Sequence, residues 1–184
     1  FWDSAIKGAG AFSAGIMRRL MEELCVLSGM SAITVFWDLT KFYDSLDLVI
    51  LASLAQRAGF PMRIAAMDLQ VHAGLRFLRW HGAMAEPIAS CTSVLAGSRY
   101  SNTYARVFLY ELLDALHSRA PVHIGLHVDD LATTAFGTTI DAVKHICEAV
   151  DYLSVSFAAH KLKVSPKTVI VSSAGGASKI VQDK

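Results

Sequence analysis

The chain is short of charge. Only 18% of its residues are Asp, Glu, Lys or Arg, and 17 basic against 16 acidic side chains leave a net +1. Domains whose whole surface grips nucleic acid carry a clear positive excess, so the charge balance alone points to no polyanionic partner. Cysteine is scarce too. Cys25, Cys91 and Cys147 are odd in number, far apart, and form no CxxC or Cys/His group of zinc-ligand spacing, which fits core thiols in a reducing compartment. Long hydrophobic runs are missing: the longest, Leu48 to Ala55 and the stretch around Val35 to Trp37, fall far short of the roughly 18 residues a membrane span requires, so no membrane partner is expected. There is no basic n-region followed by an apolar h-region, and the chain begins at Phe1 without an initiator Met. It therefore reads as an intracellular protein, nuclear or cytoplasmic, and as a piece of a longer one. No internal repeat or low-complexity linker is visible apart from a small-residue tail near Gly175 and Gly176, and the seven histidines form no HExxH motif.

What is present is apolar. A hydrophobic fraction of 53% with mean hydropathy +0.41 excludes intrinsic disorder, and 184 residues is about one domain's worth of chain. From Phe12 to Gly29, Ile16, Met17, Leu20, Met21, Leu24 and Leu27 recur at helical spacing, with Arg18, Arg19, Glu22 and Glu23 on the other face. Ser31 to Trp37 is β-branched, aromatic and almost wholly apolar, as a central strand covered on both faces should be. Asp44 is placed to cap a helix that stops at Gly59, and a second helix follows over 62–73. Leu75 to Trp80 and the segment around Val94 read as extended.

Asn102 to His117 sets Ala105, Phe108, Leu109, Leu112 and Leu116 on one stripe. Pro121 to Val128 and Leu131 to Phe136 are β-like runs separated only by Asp129 and Asp130, a hairpin with an acidic tip. Asp141 to Ala159 is again helical, and Thr168 to Ser172 closes as a strand. The expected fold class is α+β, with an antiparallel sheet and helices packed on one face.

Three acids need a reason. Asp38 ends an apolar strand, and Asp129 and Asp130 lie between two more. Burying a carboxylate without compensation costs several kcal/mol, so such groups are paired, hydrogen-bonded or bound to a cation. No Lys or Arg lies between Pro121 and Asp141, and Lys41 is the nearest to Asp38. A hard divalent cation suits an oxygen-only donor set of few carboxylates, and Mg²⁺ takes its remaining ligands from water and substrate phosphate. The plainer reading is that the Asp pair is an ordinary polar turn and Asp38 a solvated strand end.

The motifs in order change that balance. VFWDLTKFYD (Val35 to Asp44) resembles the first palm motif of reverse transcriptases, LAGSRYSNTYA (Leu95 to Ala105) the second, LHVDDLA (Leu126 to Ala132) the third, and LKVSPKT (Leu162 to Thr168) the Lys-bearing fourth. The resemblance is to the non-LTR retroelement and group II intron type and runs over roughly 31–173. It implies a polymerase palm over residues 31–173, a partial fingers segment over 1–30 and a tail over 174–184. It further implies template-directed DNA synthesis on an RNA or DNA template with a primer and deoxynucleoside triphosphates, with the remaining fingers and the thumb supplied by the rest of the parent protein.

By the same resemblance Asp38, Asp129 and Asp130 are catalytic and hold two Mg²⁺ ions, with Mn²⁺ as an alternative, and Lys167 assists the departing pyrophosphate. Tyr43 lies beneath the incoming sugar, where its ring excludes a 2′ hydroxyl, and Gly97 and Ser101 contact template and nucleotide. Each role has a structural counterpart: Tyr43 as packed core, Ser101 or Asn102 as a helix cap, Lys167, Arg99, Arg18 and Arg19 as solvated surface. The chain departs from the family pattern at Ala96 (usually Gln), Asn102 (usually Pro) and His127 (usually a larger aromatic), which puts template contacts and primer positioning in question. Two other classes stay open: a catalytically silent palm serving as a nucleic-acid-binding or scaffold module, and another two-metal enzyme such as a nucleotidyl cyclase, against which stands the lack of a GGDEF-like turn.

Overall fold

A computed structural model describes residues 3–6 and 8–182. In chain order these form α1 (Ala11–Leu27), β1 (Ser31–Trp37), α2 (Phe42–Ser45), α3 (Leu48–Arg57), α4 (Met62–Ala73), β2 (Arg79–Trp80), β3 (Ala83–Met84), α5 (Ser101–Arg119), β4 (Val122–His127), β5 (Asp130–Gly137), α6 (Thr139–Ala159), β6 (Val169–Ser172) and α7 (Ala177–Gln182). The class is α+β, and the principal sheet is four-stranded and antiparallel in the order β4-β5-β1-β6. The chain divides into two compact units. One comprises Phe1–Thr40, Glu111–Ala159 and Lys163–Lys184, the other Lys41–Tyr110 and His160–Leu162. By sequence the first carries nine Lys and Arg against twelve Asp and Glu, and the second eight against four. The near-zero charge of the chain is thus the sum of an acidic unit and a basic one.

The first unit is built on β1. Its apolar run sits between β5 and β6, and Ile33, Val35 and Trp37 are 0–5% exposed. Side chains alternate across a strand, so these three share a face. That face meets α6: Trp37 stacks edge-on against Phe157 with ring centroids 5.5 Å apart, and its indole N–H donates to the Thr133 hydroxyl at 3.0 Å. Each such side chain removed from water contributes about 1.5–3 kcal/mol. The other face is covered as well, which corrects the expectation of helices on one face. Thr34 donates to a Glu22 carboxylate oxygen at 3.2 Å, and the Arg18 guanidinium lies 4.6 Å from the Phe36 ring centre, so α1 crosses that side.

The α1 stripe also differs from the periodicity. Ile16, Met17, Leu20, Leu24 and Leu27 were expected to face the core, yet they are 43–83% exposed and Cys25 alone is buried. Arg18, Met21 and Glu22 are only half-exposed and turn inward with Cys25. The cause lies on the sheet: Thr34 and Thr134 present hydroxyls there, joined to each other at 2.9 Å, and a polar helix face satisfies them where Leu would not. The helix ends as its Gly requires. Gly29 takes φ +72, and Met30 N–H closes onto the Cys25 carbonyl at 3.0 Å. Among the described residues no helix is long and apolar enough to cross a membrane.

In the second unit, α3 and α4 pack together, and Leu46, Leu51, Leu54, Ala55, Ala65, Val94, Tyr104, Ala105, Phe108 and Leu109 are at most 2% exposed. The capping residue is Asp47, three positions after the expected Asp44: its carboxylate accepts from Val49 N–H at 2.9 Å and Ile50 N–H at 3.1 Å. Asp44 instead lies in the short α2 turn and accepts from the Ser93 hydroxyl at 3.0 Å. The chain turns over α2 before α3 begins, so α3 starts later than an unbroken reading of the run suggests. Leu75 to Trp80 is extended as expected, pairing through Arg76 with Ile88 and through Leu78 with Ala85 before the short β2. β2 and β3 form a small ribbon whose turn, His81 and Gly82, has φ +46 and +84, the pattern of a two-residue hairpin with both central residues left-handed. Val94 is buried outside any strand, its N–H donating to the Tyr43 carbonyl at 2.9 Å.

Candidate functional site

The acids of the first unit gather at one end of its sheet. The antiparallel register pairs Trp37 with Leu131, which sets Asp38, the next residue after β1, beside the start of β5 at Asp130. β4 and β5 are joined by Val128 and Asp129 alone, with His127 paired to Asp130. The acidic tip is therefore a two-residue turn in which Asp129 is central and Asp130 already belongs to the strand. Only the first central residue, Val128, has positive φ (+62), as a type II′ turn requires. Glycine ordinarily fills that position. A β-branched residue there is strained by about 1–3 kcal/mol, so the surrounding sheet imposes the turn on the sequence.

Asp38 and Asp130 are exposed and Asp129 is half-buried. Burial raises the Asp129 carboxyl above the ordinary carboxylate range, and the charges of Asp130 and Asp38 push the same way, while its own backbone N–H and His127 oppose them. Carboxylates remote in sequence thus share one electrostatic field. Among the described residues none of the three forms an ion pair, and no group of three or more His, Cys, Asp or Glu side chains stands ready to hold a metal ion. The donor chemistry suits a hard cation. Three acid groups, oxygen-only and without a basic partner, leave negative charge that a divalent ion neutralises.

The Lys167 segment lies along the same strand end. Thr40 N–H donates to the Lys163 carbonyl at 2.8 Å, Ser165 N–H to the Asp38 carbonyl at 2.8 Å, and Asp38 N–H to the Thr168 hydroxyl at 3.1 Å. Lys167 N–H in turn donates to the Ser165 hydroxyl at 3.1 Å, and the side chain is exposed. The backbone of Asp38 is thereby clamped by the residue after Lys167. Thr168 was not singled out from the sequence, and its place next to the Lys in the fourth motif was the available signal. His127 is held too: the Ser4 hydroxyl lies 3.2 Å from its Nδ1 and donates to the Leu126 carbonyl at 2.9 Å. A cleft of about 700 Å³ between α1, the segment from Asp3 and the sheet reaches Asp130 and His127. His123 on its wall is kept below its ordinary pKa by burial, with Arg18 nearby acting the same way. Lys7 lies outside the described residues.

Tyr43, Gly97 and Ser101 belong to the second unit. Tyr43 ends no strand but sits in α2, half-buried, its ring edge-on to Phe42 and its hydroxyl donating to the Asn102 side-chain carbonyl at 2.9 Å. Asn102, a departure from the family motif, is therefore the partner that orients the Tyr43 ring. Gly97 has φ +84 with nothing within 4 Å of where a Cβ would sit, so backbone conformation rather than crowding favours glycine there. Ser101 is 2% exposed and donates to the Ser98 carbonyl at 2.9 Å, closing the turn into α5. Arg99 is exposed and lies 5.5 Å from the centre of the Tyr100 ring.

His72, one of the histidines without a role in the sequence reading, supports this stretch. Its Nδ1 accepts from Leu95 N–H at 3.1 Å, which fixes the proton on Nε2, 3.3 Å from an Asp68 oxygen. A helix carrying Asp and His four residues apart was the signal.

No protein-family model matches this chain, and a search of curated proteins finds no significant match to its sequence.

Proposed function

We propose that this chain carries the palm of an RNA-dependent DNA polymerase of the retroelement type, which extends a primer on an RNA or DNA template with deoxynucleoside triphosphates inside the cell. The reading is carried by one observation: Asp38 and the Val128–Asp129 turn that leads into Asp130 meet at adjacent strand ends, and the Asp129 carboxyl responds to both other charges. The ordered resemblance of the four motifs supports it.

In this reading Asp38 and Asp129, assisted by Asp130, hold two Mg²⁺ ions. Bound there, such ions lower the pKa of a primer 3′ hydroxyl and neutralise the leaving pyrophosphate. The chain's own residues do the positioning. The Thr168 hydroxyl and the Ser165 N–H fix the backbone of Asp38, and the two-residue turn fixes Asp129. Lys167, displayed from the clamped segment, supplies a cation for the pyrophosphate. Within the second unit, the Tyr43 ring that the motif resemblance assigns to sugar selection is oriented by Asn102. Gly97 leaves its backbone open to close approach, and Ser101 holds the turn that presents it.

The test is Mn²⁺ titration followed by electron paramagnetic resonance on wild type and Asp129→Asn, beside primer extension with Mg²⁺. Saturable Mn²⁺ binding that the substitution removes, together with incorporation that it abolishes, supports the reading. Primer–template binding without incorporation and without a Mn²⁺ site identifies a silent palm instead, and cyclic product from a lone nucleotide identifies a cyclase.

A further inference from the structure

His72 sits in the last turn of α4, 1% exposed, with each ring nitrogen turned to a different group. Nδ1 accepts from Leu95 N–H at 3.1 Å, and a backbone amide can only donate, so this bond exists only while Nδ1 carries no proton. Nε2 faces the Asp68 carboxylate one turn earlier, 3.3 Å away. Among the described residues neither Asp68 Oδ2 nor His72 Nε2 has a well-aligned hydrogen-bond partner, and the buried Tyr104 hydroxyl, which feels the same carboxylate, is unpartnered too. Buried polar atoms normally find partners, so three left short in one cluster need a reason.

The neighbours decide what a further proton does. α4 supplies Asp68. The chain after it supplies Arg76, whose guanidinium donates to the His72 carbonyl at 3.5 Å and to the Ser93 carbonyl at 3.3 Å. α5 supplies Tyr104, edge-on to the imidazole with 6.3 Å between ring centres, and Tyr100 tilted against Tyr104. Burial and Asp68 together hold the Tyr104 hydroxyl far above its ordinary pKa, so it stays neutral wherever an imidazole titrates. The one charge on α3, which packs on α4, is Arg57, exposed and donating to Ser53 of its own helix.

A second proton on the ring therefore acts oppositely at its two edges. At Nε2 the imidazolium is drawn to the Asp68 carboxylate. At Nδ1 a new N–H meets Leu95 N–H, and attraction becomes repulsion. What lets go is well defined, because Ser93 N–H is tied to the Leu46 carbonyl at 3.0 Å and Val94 N–H to the Tyr43 carbonyl at 2.9 Å, independently of the ring. Beyond them Ser98 N–H returns to the Leu95 carbonyl at 3.0 Å, inside the loop, and Leu95, Ala96 and Gly97 are exposed. The 95–98 loop hangs from His72.

We infer that His72 is a proton-operated latch on the 95–98 loop, holding Leu95 while neutral and releasing it when protonated, with Asp68 retaining the ring. The latch lies wholly in the second unit and needs neither the carboxylates of the first nor a metal. The loop carries Gly97, so in the polymerase reading, on which this clause alone rests, the latch governs the backbone offered to template and nucleotide.

The experiment is NMR on the full chain in EDTA from about pH 8 to 5, the span over which imidazoles titrate. It follows the His72 ring nitrogens and the protection factor of the Leu95 amide, which refers its exchange rate to the unfolded rate at the same pH. At the alkaline end the ring proton should sit on Nε2 alone. As the ring takes up its second proton, Leu95 protection should fall about 2- to 12-fold, the worth of one hydrogen bond, while the Phe108 and Leu109 amides of α5 keep theirs. His72→Asn offers a carbonyl in place of Nδ1 and cannot gain a proton, so its Leu95 protection should stay level with pH. Asp68→Asn lacks the charge that retains the imidazolium and should release the loop at lower pH.

The inference is overturned by a ring protonated on Nδ1 at the alkaline end, a ring still neutral at the acid end, or Leu95 protection that stays level while the ring titrates. A fall shared by the α5 amides, or one that His72→Asn retains, overturns it as well, and the wild-type titration decides alone if that variant does not fold. Release that Asp68→Asn leaves in place or moves to higher pH overturns the part given to Asp68. With no metal or nucleotide present, failure of the latch leaves the polymerase reading standing, and loss of Mn²⁺ binding leaves the latch standing.

Discussion

Replacing Asp47 probes two interactions that meet on one carboxylate. One oxygen caps α3 through Val49 and Ile50 N–H, and the other accepts from Lys161 Nζ at 2.6 Å. A lost cap costs ~1 kcal/mol. The ion pair is worth less than its length suggests, because the Lys161 side chain is 67% exposed against 12% for Asp47; partly solvated pairs contribute about 0.2–1 kcal/mol. Asp47→Ala should therefore destabilise by about 1.2–2 kcal/mol. Asp47→Asn keeps a good capping acceptor and loses the charge, so it should cost under about 1 kcal/mol.

Lys161, by hydrogen bond and charge, lowers the Asp47 carboxyl below its ordinary 3.8, with the α3 N–H groups acting in the same direction against burial. A depressed folded pKa stabilises above the unfolded value. The contribution should persist at neutral pH and disappear as pH falls below about 4 towards the folded pKa. Urea denaturation of wild type, both variants, Lys161→Met and the Asp47→Asn/Lys161→Met double measures this, with Cm shifting at constant m. Equal costs for Asn and Ala, or additive losses for Asp47→Asn and Lys161→Met, would refute the division into cap and pair.

Asp129 runs the other way. Its folded carboxyl is raised by burial and by Asp130 and Asp38, so its ionisation weakens the fold as pH rises through the folded pKa. Asp129→Asn should melt higher than wild type at neutral pH, with the gap closing below about pH 4; a lower melting temperature throughout contradicts this. Thr34→Val leaves the buried Thr134 hydroxyl without its partner and should cost about 1–3 kcal/mol, whereas Thr34→Val with Thr134→Val should recover most of the loss in the same unfolding assay. Leu24→Glu on α1 should shift stability by no more than about 0.5 kcal/mol, because Leu24 is 62% exposed; a loss of 2 kcal/mol or more, the scale of a core substitution, would restore it to the core.

Local signals were legible where one principle acted alone. SAITVFW could be nothing but an inner strand, the 102–117 stripe is buried at every residue named from it, and the acidic pair does mark a hairpin tip. Asp47 was missed because the run from Ser45 reads as unbroken helix, and only the backbone reversal over α2 moves the cap. The α1 face was misjudged because periodicity reports which residues are apolar and says nothing of the hydroxyls opposite. At the site, the register beside Asp38 and Asp130 follows from pairings that no local pattern encodes. The contact from Asp38 N–H to Thr168 spans 130 residues, beyond the reach of any sequence window. His72 and Asn102 gained meaning only once Leu95 and Tyr43 were placed against them.

The position of β1 in the sheet has a consequence for synthesis. Both of its neighbours lie far downstream: Thr34 meets Thr134, 100 residues later. At roughly 5–20 residues per second, a ribosome makes the first partner about 5–20 s after β1 has been polymerised. Throughout that interval a seven-residue apolar, β-branched segment with no Pro waits with both edges unpaired, which is the composition most prone to cross-β association. The nascent chain is therefore at its most aggregation-prone before β5 appears, and chaperone demand should fall sharply once Gly137 has cleared the exit tunnel.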